Sequence, residues 1–252
     1  MNPFPGAAGI TFSPGSSSNR SGAQRNCLNP GNPNATSPSV VDSPSFLDPQ
    51  ADIEQTSNHL PHWEQDGCAY FLTFRLADSL PVSLLSDWRE ERDQWMKWTP
   101  HPWTPAQEAE YYKRFSGTEE RWLDALHGSC SLADPHVRAR VAETLFFPAD
   151  GLTCWSGVVM PNHVHLLCSI GGRTLGNVIG AWKGRSARQA NLVRESTGAF
   201  WSKDYFDRLV RDTDHFRRCA RYIRRNPEKA GVGNDKFTLL ESRFVKKMLA
   251  AA

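Results

Sequence analysis

Two histidines separated by one valine stand in the stretch Met160-Pro161-Asn162-His163-Val164-His165-Leu166-Leu167. In a strand, side chains alternate between faces, so His163 and His165 point one way while Val164, Leu166, Cys168 and Ile170 point the other. The second set has the character of a core face. Two neutral imidazoles held side by side can supply two ligands to a divalent ion. The same spacing also fits two half-exposed histidines that bind nothing. A second constellation is Arg221-Tyr222-Ile223-Arg224-Arg225-Asn226-Pro227. On a helix, Phe216, Cys219, Ala220 and Ile223 make an apolar stripe with Tyr222 at its edge, and Arg218 and Arg225 lie on the adjoining turns. Guanidinium groups suit phosphate through bidentate hydrogen bonding. Asn226, four residues after Tyr222, falls on the same side, and its amide oxygen is a candidate third metal ligand. The alternative is a packed tyrosine whose hydroxyl meets water. Pro227 disfavours helical geometry at Asn226, so the helix is expected to end or bend there.

These groups need elements to position them. Ala69 to Leu76 is rich in aromatic and β-favouring residues and reads as a strand. Leu152 to Met160 and His163 to Ile170 read as two more, joined as a hairpin by Pro161-Asn162. Helical periodicity runs from Val82 to about Lys97, where Leu84, Leu85, Trp88, Arg92 and Trp95 recur at spacings of three and four. Thr104 is a plausible cap with Pro105 at the first turn. Further helices hold Tyr111, Tyr112 and Phe115, then Trp122, Leu123 and Leu126. Another starts after Asp134-Pro135 and carries Val137, Val141 and Leu145. Five tryptophans (88, 95, 98, 103 and 122) read as the packed interior of a helical insertion at about 82–148 rather than a base-stacking platform. A helix from about Leu175 to Arg194, an extended segment from Phe200 to Leu209 and a basic helix from about Asp214 to Arg225 complete the order. The class is α+β, with helices packed on an antiparallel sheet.

The chain has 252 residues, 39% hydrophobic and 22% charged, which suits a globular protein with a real core. No apolar run approaches the ~20 residues that span a bilayer. The N-terminus lacks the basic start and apolar stretch of a secretory signal. Six cysteines form no Cys-x-x-Cys pair, which argues against a zinc ribbon or disulfide scaffold and fits a reducing cytosol. Residues 1–58, dominated by Ser, Pro, Asn and Gly, read as a disordered tail, with folded structure from near Leu60. The net charge of +2 conceals an asymmetry: residues 59–172 hold nine basic against fifteen acidic residues, and residues 173–252 hold eighteen against eight. The last third is therefore a candidate surface for a polyanion.

Met-Pro-Asn-His-Val-His-Leu-Leu followed by Tyr-Ile-x-x-Asn-Pro resembles the REP-associated tyrosine transposases, the single-tyrosine branch of the HUH endonucleases. Leu60-Pro61-His62-Trp63-Glu64, Tyr70 to Ala77, and Phe200-Trp201-Ser202-Lys203-Asp204-Tyr205-Phe206-Asp207 look like the same group. The match covers about residues 60 to 233. The sequence departs from the Trp-Gln-x-Glu-x-Phe-Asp pattern of many relatives, with Ser202-Lys203-Asp204-Tyr205 here.

The resemblance implies a ferredoxin-like antiparallel sheet, and a Mg²⁺ or Mn²⁺ held by His163, His165 and Asn226. It makes Tyr222 the nucleophile that cleaves and rejoins single-stranded or hairpin DNA through a 5′-phosphotyrosine, with Tyr205 as the rival. Arg218 or Arg225 would ease the phenol toward reaction. Lys183, Arg185, Arg208, Arg211, Arg218, Arg221 and Arg225 would track phosphates. A homodimer, with each site built within one chain or from two, is the assembly the resemblance leaves open. The expected location is the cytoplasm, on the nucleoid when DNA is bound. Two other classes compete: a catalytically silent nucleic-acid-binding descendant, and a metal-dependent hydrolase, which would need ligands beyond the His pair.

Overall fold

The computed structural model describes residues 43–52, 54–57, 61–100, 103–146 and 152–251. Most of the stretch read as a tail lies outside these residues. Its last part, however, is ordered: the Leu47 amide donates to the Val210 carbonyl, the Ala69 amide donates to the Ser45 carbonyl, and the Phe46 ring meets Phe216 edge-on. Phe46 and Leu47 supply the apolar anchors that the surrounding Ser/Pro/Asn composition obscures. A small antiparallel pair, β1 (Glu54–Ser57) and β2 (Pro61–Glu64), follows.

The central sheet has five antiparallel strands in the order β6-β3-β5-β4-β7, where β3 is Ala69–Arg75, β4 Thr153–Val159, β5 His163–Ser169, β6 Phe206–Leu209 and β7 Thr238–Glu241. Leaving the added edge strand β7 aside, the order in chain terms is fourth, first, third, second. That is the split βαβ arrangement of a ferredoxin-like sheet, as expected. The helices are α1 (Val82–Trp98), α2 (Pro105–Tyr111), α3 (Gly117–Asp124), α4 (Pro135–Phe146), α5 (Leu175–Val193), α6 (Thr213–Lys229) and α7 (Arg243–Ala250). A π-helical turn over Tyr112–Ser116 joins α2 to α3 in one continuous rod, where two separate helices were expected.

Each face of the sheet has its own core. On one face α4 and α5 cover Tyr70, Leu72, Phe74, Val164, Leu166 and Cys168. On the other, α6 and α7 cover Ala69, Phe71, Trp155, Val158 and Leu167 through Phe216, Cys219, Ile223 and Val245. The alternation along β5 therefore has no solvent side. α1 and α3 share a smaller cluster of Leu80, Leu85 and Leu123 with Trp122 packed against it. Four of the five tryptophans interlock there with Tyr111 and Phe115. Trp98, expected to pack with them, is 77% exposed, one turn past the apolar stripe.

Gly157 lies where β4 crosses between Phe146 and the hairpin partner β5. A Cβ there would stand 2.6 Å from the Phe146 ring and 2.7 Å from Leu166 Cδ2. Gly157→Ala should therefore cost about 1–3 kcal/mol, as overpacking does. The measurement is the urea midpoint at fixed slope, and an unchanged midpoint would contradict the close packing described.

Candidate active site

The hairpin turn that precedes β5 fixes the first imidazole. The Met160 amide donates to the His163 carbonyl, closing a two-residue loop, and the Asn162 carbonyl accepts from the Leu76 amide. Asn162 itself is buried. Its Nδ2 donates to the carbonyls of Leu123 and His127 at 3.2 and 3.4 Å, so its Oδ1 is left as an acceptor 2.7 Å from His163 Nδ1. An amide oxygen can only accept, so His163 carries its proton on Nδ1 and its Nε2 is a bare lone pair. That lone pair faces His165 Nε2 at 3.1 Å. On the far side of His165, Nδ1 shares a 2.7 Å hydrogen bond with the Thr73 hydroxyl. The β3–β5 register sets Thr73 opposite His165 and Arg75 opposite His163.

Both histidines are fully buried rather than half-exposed. Burial is the largest influence on each, and it pushes His163 down to about 3 and His165 well below its ordinary value. Two neutral rings are the form that ligates metal.

α6 supplies the remaining groups. Asp212 caps its start by accepting from the His215 amide at 2.6 Å. Contrary to expectation, the helix does not stop at Asn226 but continues through Pro227 to Lys229. Proline removes one N–H, and the ladder resumes beyond it, with the Ala230 amide bonded to the Asn226 carbonyl. Tyr222, Asn226 and Lys229 consequently lie on one side, four and then three residues apart. The Tyr222 ring meets His165 at 5.2 Å and Phe71 at 5.8 Å, both edge-on, and Phe71 in turn stacks on His165 at 5.5 Å. Asn226 is wholly buried; it acts on the His163 ring, yet neither amide atom has a well-formed hydrogen bond among the described residues.

A buried amide left this way is costly, and beside two facing imidazoles it is the third donor a metal would need. The 3.1 Å nitrogen separation is close to ~3.0 Å, the edge of an octahedron with ~2.1 Å bonds. Among the described residues no group of three His, Cys, Asp or Glu could hold a metal ion. The donor set that fits one is therefore two imidazoles and an amide.

The structure thus brings four of the expected residues together: His163, His165, Tyr222 and Asn226. It separates the expected DNA contacts. Arg218, Arg221 and Arg225 are on α6, and Arg208 is on β6, its guanidinium over the Tyr112 and Phe206 rings at 5.5 and 5.7 Å. Arg211 follows β6 directly. Lys183 and Arg185 are on α5, across the sheet. Lys183 does not point to solvent: its ammonium donates to the carbonyls of Ser202, Lys203 and Asp204 at 3.0, 3.1 and 2.9 Å, making it a strut for that loop. Tyr205 packs with the α4–α5 core beneath the same lysine.

The acidic side of the site was not visible in the sequence. Tyr222 is held far above the usual phenol range, first by burial and then by the negative charges of Glu120 and Asp124 in α3. Arginines had been expected to ease it. Glu120 accepts from the Tyr112 hydroxyl at 3.0 Å, and burial raises its own carboxyl. Only the charge of the 59–172 stretch, net acidic against a basic last third, pointed to such a contact.

Residues 147–226 match the family model described as "Transposase IS200 like". The matched segment covers about a third of the chain. It spans β4, β5, α5, β6 and most of α6, and so contains both histidines, Tyr222 and Asn226. Two solved structures are similar to the chain. A REP-associated tyrosine transposase bound to a REP hairpin is 14% identical with a TM-score of 0.34, over 70% of this chain and 75% of that one. A Deinococcus radiodurans R1 protein assigned as a transposase is 15% identical with a TM-score of 0.26, over 63% of this chain and 89% of that one. No curated protein matches the chain. No helix among the described residues is long and apolar enough to cross a membrane.

The neutral buried histidines set a pH dependence for the stability of this fold. An imidazole lowered from 6.5 to about 3 in the fold binds its proton only when unfolded across that interval. Stability is then fully present above about pH 6.5 and is lost as the pH falls toward 3. In a metal-free NMR titration, the His163 ring signals should stay at their neutral positions down to pH 5. A midpoint near 6.5 would contradict the burial described.

Proposed function

We propose that this chain cuts and rejoins single-stranded or hairpin DNA, with Tyr222 as nucleophile and a divalent cation as cofactor. The observation that carries the reading is the convergence of His163, His165, Tyr222 and Asn226, from a hairpin and a later helix, within the segment that matches the IS200-like transposase model.

A phosphodiester repels nucleophiles until its negative charge is offset. Mg²⁺ or Mn²⁺, held by His163, His165 and Asn226, would polarise the phosphate and offset that charge. The protein's own residues do the rest. Asn162 and Thr73 fix the two rings by their outer nitrogens, the kind of support that keeps ligands in place. Phe71 and His165 hold the Tyr222 ring at its edges, leaving rotation of the hydroxyl as its main freedom. The Tyr222 oxygen attacks phosphorus as the P–O3′ bond breaks; the phenol gives up its proton and the departing 3′ oxygen takes one. The product is a 5′-phosphotyrosine ester, and attack by a 3′-hydroxyl reverses the step, so joining needs no nucleotide triphosphate. Arg221 and Arg225 on the exposed side of α6 suit phosphates further along the strand, and binding should weaken steeply with salt.

A labelled hairpin oligonucleotide with Mn²⁺ tests this. The wild-type and Tyr205→Phe chains should form a denaturation-resistant protein–DNA adduct, and Tyr222→Phe and His163→Ala should form none. Binding without an adduct would instead identify a silent nucleic-acid-binding protein, and a free 5′-phosphate without adduct a hydrolase. An adduct lost in Tyr205→Phe but kept in Tyr222→Phe would reverse the assignment.

A further inference from the structure

The nucleophile reading requires a phosphate at the Tyr222 oxygen, yet His163, His165 and Asn226 are at most 1% exposed and Tyr222 is 9% exposed. The α3 end of the rod lies against the site, and its contacts there include carboxylates laid on cations and the Leu123 carbonyl on Asn162 Nδ2. Glu119 accepts from Arg75 Nε at 3.2 Å, and Asp124 pairs with Lys229 Nζ at 2.7 Å. Glu120, between them in sequence, accepts from the Tyr112 hydroxyl, and its negative charge bears on Tyr222.

The two cations are placed by the same elements that place the site. Arg75 stands opposite His163 in the β3–β5 ladder and is 5% exposed. Lys229 lies two turns beyond Tyr222, its ammonium 5.5 Å above that ring. A cleft lined by Thr73, Arg75, Arg89, Arg92, Glu119 and Glu120 opens on the Arg75–Glu119 pair between α1, α3 and the sheet. Among the buried apolar side chains of α1 to α3 and the turn between them, only Tyr112 joins the core around Tyr222; Leu85 and Leu123 belong to a separate cluster. Lifting the rod would withdraw one ring, Tyr112, from the core around Tyr222 and the Leu123 and His127 carbonyls from Asn162, and would leave the rest of both main cores closed.

We propose that Arg75 and Lys229 bind phosphates of the strand being cut, and that residues 112–127 form an acidic cover which occupies these cations until single-stranded DNA displaces it. The proposal rests on the reading of Tyr222 as nucleophile. Exchange of carboxylate for phosphate leaves each cation paired before and after, which avoids the large cost of an uncompensated buried charge. Phosphate also offers guanidinium the same bidentate geometry as carboxylate. The cover accounts for a nucleophile that is dry and flanked by negative charge when DNA is absent.

The test uses the full chain carrying Tyr222→Phe, so that binding is read without chemistry, and a fluorescein-labelled single-stranded oligonucleotide followed by anisotropy across a salt series. Adding E119Q and D124N together should tighten binding about tenfold, the worth of one hydrogen bond to a charged group. The control pair E90Q and E143Q changes the charge equally on exposed surface and should not. Lys229→Gln should weaken binding and reduce the salt slope by about one. Arg75→Gln should do likewise, and the half-exposed Lys229 keeps the test decisive if the buried Arg75 variant fails to fold. Equal tightening by the control pair, or no tightening by E119Q/D124N, overturns the cover; an unchanged salt slope in Lys229→Gln overturns the phosphate assignment. With Tyr222 restored, E119Q/D124N should also speed adduct formation. Altered binding with no adduct in any chain would fault the nucleophile reading alone, and an adduct formed at an unchanged rate would fault the cover alone.

Discussion

Two imidazole nitrogens face each other 3.1 Å apart in a region closed to water, and the rest of the site is arranged around that fact. Neither ring can take a proton cheaply there, because burial disfavours the charged form. The pair is therefore neutral and has a lone pair to give. Asn162 sets the tautomer of His163 from outside, and Thr73 holds the outer nitrogen of His165. Asn226 and Tyr222 close the space from α6. Two facing ring nitrogens and a buried amide form a donor set that suits a divalent cation.

The sheet explains how such polar groups come to be buried. β5 is apolar on one face and carries the histidines on the other, and both faces are covered, by α4 and α5 below and by α6 with α7 above. The amphipathic stripe of α6 fits its role, since it brings Phe216, Cys219 and Ile223 onto the sheet and carries Tyr222 with them. Extension of this helix past Pro227 matters, because it delivers Asn226 in helical register and Lys229 beyond it. Its hydrophobic contacts continue through the proline, and one lost amide bond does not outweigh them.

Much of this was legible beforehand. The hairpin, the helix after it, the basic helix and the pairing of His163 with His165 follow from local periodicity, which records which way side chains point. What periodicity cannot record is what lies opposite. Half-exposed histidines stayed open as an alternative because nothing local to β5 shows α6 lying across it. Trp98 read as core because aromatic density does not say which residue falls off the stripe. Lys183 read as a phosphate contact until the loop at 202–204 was seen to take its three hydrogens. Glu119, Glu120 and Asp124 drew no reading, since only the tertiary fold sets them near Arg75, Tyr222 and Lys229.

The central claim is that His163, His165 and Asn226 converge on a single cation beside Tyr222. Crystals of the full chain soaked in Mn²⁺ and measured at a wavelength where manganese scatters anomalously test it most directly. The account predicts one strong peak in contact with Nε2 of both histidines, with the Asn226 amide turned toward it. A difference map with no peak there, or with manganese only on surface carboxylates, would contradict it.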